Sequence, residues 1–412
     1  MTRKNDMTQE ENNPLIPKLR FPEFRNAGGW RTVQLSEVLD YERPDRYIVN
    51  DTNYVNDGIP VLTANKSFVI GYTRETENVY TDVPVVIFDD FTTDKKLVTF
   101  AFKVKSSAIK ILKAKKGDDL RLLYELMAQI KFDAQEHKRY YISEYQYIKI
   151  PLPEINEQKK IAECLSTLDE LIEAESRKLN ALKDHKKGLM QQLFPREGET
   201  RPRLRFAEFR ASSDWERGVV RNIATVLQGY GFPEKYQGNT SAEFPFYKVS
   251  DISRTLAAGR HLMDEAANYI DHETLEKLKA KPIPAGTTIF AKIGEALRLN
   301  RRALTTRPCL IDNNTAGVKA IEEKATDLFL YYLFSTISLE KHAGGVVPAV
   351  SKTAIEEIEI LYPKRDEQAR IATFLSSIDD LIAAQSEKLE VLRTHKRGLM
   401  QQLFPSPDAI DL

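Results

Sequence analysis

Between Lys95 and Lys116 the chain carries eight lysines, at positions 95, 96, 103, 105, 110, 113, 115 and 116, and no acidic residue. A surface of that composition suits phosphate: ammonium groups release the counterions of a polyanion, and hydroxyls set among them reach base edges. Lys95, Lys96, Lys103, Lys105 and Lys110, with Ser106 and Ser107, are therefore candidate DNA contacts. A second basic run, residues 292–307, holds Lys292, Arg298, Arg301, Arg302 and Arg307 against a single Glu295. Arginine can bond guanine through two parallel N–H groups as well as grip phosphate, so this run suits sequence reading. Small polar or aromatic side chains in nearby loops extend both sets. They are Asn65, Lys66, Ser67, Thr92 and Thr93 in the first half, and Gln228, Tyr230, Tyr247, Lys248, Ser250, Asn313 and Asn314 in the second. The plain alternatives are a solvated strand face, salt bridges to acidic neighbours, and ordinary turns. His137–Tyr141 and the pair Gly344, Gly345 stand open in the same way, as loop contacts or as turns.

Other chemistry finds little support. There is no GxGxxG, no phosphate-loop lysine motif, no AsnProProTyr-like tetrapeptide and no HExxH. Cys164 and Cys309 lie in unrelated contexts without a CxxC or a histidine at ligand spacing, which speaks against a disulfide or zinc site. No catalytic or metal residue is expected, and no cofactor. Sixty basic residues balance sixty acidic ones, so any nucleic-acid surface must be local. The first sixteen residues are polar, unlike a signal peptide, and no run of eighteen apolar residues suggests a membrane span; a soluble, cytoplasmic protein is expected.

Two nearly identical segments must position these loops. Glu157–Pro195 and Glu367–Pro405 match without a gap at a constant spacing of 210 residues, and end in HKKGLMQQLFP and HKRGLMQQLFP. Internal repeats of this kind imply two copies of one unit. Each segment begins after a proline-rich phrase with an acidic first turn, and Asn156 is placed to cap the first. Apolar residues then alternate at spacings of four and three: Ile161, Leu165, Leu168, Ile172, Leu179, Leu182, Leu189 and Leu193 in one copy, with Ile371 to Leu403 in the other. That is a heptad seam over about five heptads. Glu175 and Lys186, matched by Gln385 and Lys396, interrupt it, and either fix register or face water. Two equal seams in one chain favour antiparallel intramolecular pairing, with a homodimeric coiled coil as the alternative. His185 and His395 read as surface or partner contacts. Gly188 and Gly398, each costing about 1 kcal/mol relative to alanine, hint at close approach by another helix. Such a helix of about 55 Å suits a two-fold ruler along DNA.

Around the helices a second, looser repeat appears. KLRFPEFR with Trp30 returns as RLRFAEFR with Trp215, at a spacing of 185, so the second half gains 25 residues before its helix. The difference between the flanking spacings places about 17 of these within Thr255–Pro284. The blocks read as mixed domains: strands at 83–88, 97–104, 108–112 and 358–361, helices at 120–130 and 328–337.

This order of parts resembles the specificity subunit of type I restriction-modification systems. The likeness covers almost the whole chain: the PKLRFPEF phrase with its tryptophan, a variable block, ProLeuPro and a GluGln-started helix ending LMQQLFP, then all of it again. YERP (41–44), VLTANKSF (61–68) and IFDDFTT (87–93) strengthen it. The resemblance implies an α+β chain of two pseudo-symmetric target recognition domains separated by two long antiparallel coiled-coil helices. The corresponding boundaries are a disordered tail to residue 16, a recognition domain at 17–152 and a spacer helix at 153–195. A linker at 196–202, a second domain at 203–362, a second spacer at 363–405 and a tail at 406–412 follow. It further implies a non-catalytic subunit that binds a bipartite, asymmetric target in double-stranded DNA. Two methylation subunits and restriction subunits are the implied partners, with S-adenosylmethionine, Mg and ATP on those subunits and no membrane contact. A coiled-coil scaffold whose globular ends bind proteins or glycans is the alternative from another class; a self-sufficient methyltransferase is a third.

Overall fold

The computed structural model describes residues 15–63, 67–136 and 138–405. The chain forms two compact units: one gathers residues up to Ile172 together with those from Leu392 onward, and the other runs from Glu173 to Val391. Helix and strand are mixed in both.

In the first unit a four-stranded antiparallel sheet has the order Leu39–Glu42, Ile109–Ala114, Val85–Asp89, Lys95–Val98. A three-stranded sheet of Val69–Thr73, Ile59–Leu62 and Lys103–Val104 accompanies it. The loose alternation of residues 97–104 has a structural cause. Lys95–Val98 belongs to one sheet and Lys103–Val104 to the other, so no single strand spans the segment. The helix Leu120–Gln129 packs its leucines on the larger sheet and starts at Asp119, whose carboxylate accepts from the amides of Arg121 and Leu122.

The second unit repeats this plan. Its larger sheet runs Ala224–Gln228, Thr315–Ala320, Thr288–Ala291, Arg302–Thr305, Leu262–Met263, and its smaller one Tyr269–Ile270, Phe244–Tyr247, Leu310–Ile311. The segment 255–284 supplies what the first unit lacks among its described residues: the strand Leu262–Met263, a fifth in the larger sheet, and the short helix His272–Lys277, while its strand Tyr269–Ile270 takes the place of Val69–Thr73. The helix Asp327–Thr336 occupies the place of Leu120–Gln129, capped by Thr326.

Each long segment forms one helix, Ile155–Leu193 and Arg365–Leu403, of 39 residues. Both stop two residues before a proline. The first begins at Ile155, so Asn156 lies inside its first turn rather than capping it. Within the second unit Glu175 meets Gln385 and Lys388 while Lys186 meets Asp379, so the two helices run antiparallel there. In the first unit Lys396 reaches Asp169 at 2.8 Å and Glu125 at 3.0 Å. The breaks in the seam are thus cross-helix polar pairs, a device that fixes register. Pairing is intramolecular in both units.

The repeated phrases outside the helices close each core in the same way. Arg20 forms two bonds to the Glu157 carboxylate at 2.7 and 2.6 Å, and the Trp30 indole donates to it at 3.4 Å. Arg205 and Trp215 do the same to Glu367 at 2.7, 2.7 and 3.4 Å. The ring of Phe404 meets Trp30 edge-on at 6.1 Å and that of Phe194 meets Trp215 at 5.8 Å. LeuPhe at the end of each helix therefore completes a core that its own preceding domain does not supply. Leu403 and Phe404 enter the first unit, Leu193 and Phe194 the second.

Candidate nucleic-acid interface

In the second unit the sheet brings most of the loop candidates to one edge. The strand ending at Gln228 lies beside Thr315–Ala320, which in turn pairs with Thr288–Ala291, the strand that leads into Lys292. The Lys292 amide donates to the Asn314 carbonyl at 2.9 Å, and its ammonium donates to the Gln228 side-chain oxygen. Tyr230 joins through its amide to Ile311 and a bridge to Asp312, and Lys248 through its neighbour Tyr247, whose carbonyl accepts from Asp312. Gln228, Tyr230, Lys248, Lys292, Asn313 and Asn314 thus form one patch, with both asparagines exposed. Partial burial lowers the proton affinity of Lys292, and burial raises that of Asp312. One Asp312 oxygen, Oδ1, has no hydrogen-bond partner. An amide and an ammonium at one sheet edge can serve both phosphate and base edges, while the buried Asp312 carboxylate stays behind them.

The rest of the second set is spread out. Arg298 is engaged by Glu295 and Glu340, Arg301 donates to Ser253 at 2.7 Å, and Ser250 is exposed on the helix Val249–Ala257. Arg302 and Tyr247 correct the sequence reading. Arg302 lies over the Phe290 ring and donates to the Arg301 carbonyl and the Asn300 side chain, buried. Tyr247 is buried with its hydroxyl donating to the Met263 carbonyl. Neither has a face for an external ligand.

In the first unit Lys105 lies beside the end of the strand Ile59–Leu62, because Lys103–Val104 pairs in parallel with Val61–Leu62 and the Lys105 amide donates to the Leu62 carbonyl; Ser67 lies on the other side of that strand, next to Phe68, whose carbonyl accepts from the Thr63 amide. Lys105, Ser106, Ser67, Lys96 and Thr92 are exposed. Asn65, Lys66 and His137 lie outside the described residues. Lys103 and Lys110 are further corrections. Buried Lys103 pairs with Glu75 at 3.0 Å and donates to the Glu77 carbonyl. Buried Lys110 forms an ion pair with Asp90 at 2.9 Å, close in distance although not aligned as a hydrogen bond. Lys95 turns inward too, donating to the Tyr145 hydroxyl at 2.9 Å, and burial pushes its pKa down to about 8. Thr93 is buried in a tight turn at φ 58°, where the Asp89 carboxylate holds the amides of Phe91 and Thr92.

One feature escaped the sequence reading. The loop after Gly344 and Gly345 carries Val346 and Val347 at its tip, the first fully exposed and the second 61 % exposed. Two β-branched apolar residues between a glycine pair and Pro348 were the available signal.

Among the described residues no cluster of His, Cys, Asp and Glu could hold a metal ion, and no helix is long and apolar enough to cross a membrane.

Comparison with known proteins places this architecture. The specificity subunit of the type I restriction enzyme EcoR124I/EcoR124II of Escherichia coli is 29 % identical over 411 residues, covering 92 % of this chain and 95 % of that one. The MjaVIII specificity subunit of Methanocaldococcus jannaschii is 24 % identical, with 96 % of both chains covered. In fold, the chain is similar to the crystal structure of a type I restriction-modification S subunit from M. genitalium, with a TM-score of 0.63 at 14 % identity over 95 % of this chain and 99 % of that one. A chain from a study of complex assembly in the type I system matches at 0.50 and 17 % identity, covering 92 % and 98 %. The type I restriction modification DNA specificity domain matches twice, at residues 27–184 and 212–394, once around each pair of sheets. With two copies of that domain covering most of its length, the chain belongs to the type I restriction modification DNA specificity family.

Proposed function

We propose that this chain is the non-catalytic DNA-reading and assembly subunit of a cytoplasmic type I restriction-modification complex, recognising a bipartite, asymmetric target in double-stranded DNA. One observation carries the reading: the two units share their closing contacts residue for residue, from Arg20–Glu157 and Arg205–Glu367 to the Trp–Phe pairs, while their sheet edges differ. A frame kept identical around divergent edges suits two readers of unlike half-sites. Lys96 and Lys105 offer phosphate contacts in the first unit, and the patch around Gln228, Lys292 and Asn314 offers base contacts in the second.

The long helices supply docking for two methylation subunits. A partner present twice needs the same surface twice, and two features recur on the helices at the 210-residue spacing. Leu171 and Leu381 are exposed, and nothing lies within 4 Å of where a Cβ would stand on Gly188 or Gly398. S-adenosylmethionine, Mg and ATP belong to the methylation and restriction subunits in this reading.

The test is duplex binding by the chain assembled with its methylation subunits, followed by mapping of the methylated sites. Affinity should fall steeply with salt, with a slope of about −0.9 per phosphate contact, and the sites should share a split motif. Absence of duplex binding with the partners present would return the chain to the scaffold reading. Methyl transfer by the chain alone would overturn its non-catalytic role.

A further inference from the structure

The Val346–Val347 tip is no ordinary loop end. Its hairpin is closed by a reciprocal backbone pair, Gly344 to Ala349 at 3.0 and 3.1 Å, with Gly345 at φ 89° making the turn. The foot of the hairpin is bound to the Lys292 segment. The Gly294 amide donates to the Pro348 carbonyl at 2.8 Å and the Val350 amide to the Lys292 carbonyl at 2.9 Å. The most exposed apolar side chain in the described protein is thus fixed next to the patch of Lys292, Gln228 and Asn314. Scattered surface valines need no explanation. Adjacent ones raised on a pinned hairpin beside the exposed Asn313 and Asn314 do.

The matching loop of the first unit narrows the occupant. There the Tyr140 amide donates to the Asp90 carbonyl at 2.8 Å, just as Val350 does to Lys292. At the same spacing Val346 corresponds to the exposed Glu136, and the exposed Lys138 and Arg139 lie between it and the anchor, Lys138 paired with Glu136 and Glu144 at 2.9 and 2.8 Å. One frame therefore presents charged side chains in one unit and methyl groups in the other. A protein partner that docks twice would meet the same residues at both places. Duplex DNA with unlike half-sites accommodates both, through a phosphate at Arg139 in one unit and base edges at the tip of the other.

Resting on the DNA-reading function proposed above, we propose that Val346 and Val347 are specificity-determining residues of the second unit. They enter the major groove and pack on thymine 5-methyl groups, the apolar feature that the groove displays, while Lys292 and its amide neighbours hold the adjoining polar edges.

The experiment uses the full chain assembled with its methylation subunits and duplexes in which each thymine of the second unit's half-site is replaced in turn by deoxyuridine. The wild type should bind at least one such duplex about fourfold more weakly, the worth of one buried methyl group. The double variant Val346→Ser, Val347→Ser should bind the thymine duplex more weakly by a similar factor and lose the distinction between thymine and uracil. Val346→Thr, which keeps the branched shape, checks that the hairpin itself persists. Three results would each overturn the proposal: a half-site without thymine, a wild type indifferent to every substitution, or a double variant that still discriminates. A variant that binds duplex normally but loses a methylation subunit would overturn it in favour of protein docking. Failure of the underlying reading looks different, since the wild type would then show no target-selective binding on any duplex.

Discussion

Lys95 illustrates a charge that is plain in the sequence and yet turns away from the surface. Its ammonium lies against the Tyr145 ring and hydroxyl with its pKa pushed down to about 8 by burial. The unfolded chain holds that proton more tightly than the folded one. The cost to stability is therefore present in full below pH 8 and fades as pH rises toward the ordinary lysine value of 10.5. Lys95→Met should melt at a higher temperature than wild type at pH 7, with the gap shrinking between pH 8 and 10, and should leave duplex affinity unchanged. Lys96→Met and Lys105→Met should each lower affinity and reduce the salt slope by about 1. Equal losses in all three would put the Lys95 ammonium on phosphate. The lysine cluster was legible as composition, but its division into inward and outward members was not. Lys103 and Lys105 have the same parity, yet only Lys103 lies in a strand whose partners, Glu75 and Glu77, come from another part of the chain.

At the scale of elements, the heptad spacing announced the long helices because a 3.5-residue period sustained across 39 residues, with its few polar breaks matched in both copies, has few other solutions. The meaning of its final LeuPhe was hidden, since those residues serve a core encoded elsewhere. Phe404→Ala should destabilise the first unit and Phe194→Ala the second, each by about 3–5 kcal/mol, as expected for a buried aromatic. Denaturation followed through Trp30 or Trp215 checks the assignment, with the other tryptophan replaced by phenylalanine. A loss confined to the domain that directly precedes the mutated helix would contradict the crosswise closure. Gly188→Leu with Gly398→Leu tests the helix surface. Because both sites are open, the double variant should keep or gain stability, by up to about 1 kcal/mol per site from helix propensity. It should nonetheless bind the methylation subunits at least tenfold more weakly in a titration. Unimpaired assembly would remove that face from the docking surface.

For the whole molecule, the repeat spacing revealed duplication, and its drift revealed where the second half carries an extra strand and helix. Strand pairing between distant segments, such as Lys103–Val104 with Val61–Leu62, had no local signature. If the helices set the number of base pairs between half-sites, one heptad inserted at equivalent points in both should lengthen the gap while both half-sites stay readable. Mapping of methylated sites reads this directly, and an unchanged gap would refute the spacer role. The crosswise closure also orders the protein's birth on the ribosome. Every residue of the second unit lies within the continuous span Glu173–Val391, whereas the first unit lacks Leu403 and Phe404 until nearly the whole chain has been made. At 5–20 residues per second, the roughly 230 residues after Ile172 take about 10–50 s to synthesise. During that interval the first-made reader stands with Trp30 uncovered, so the half of the protein begun first is finished last.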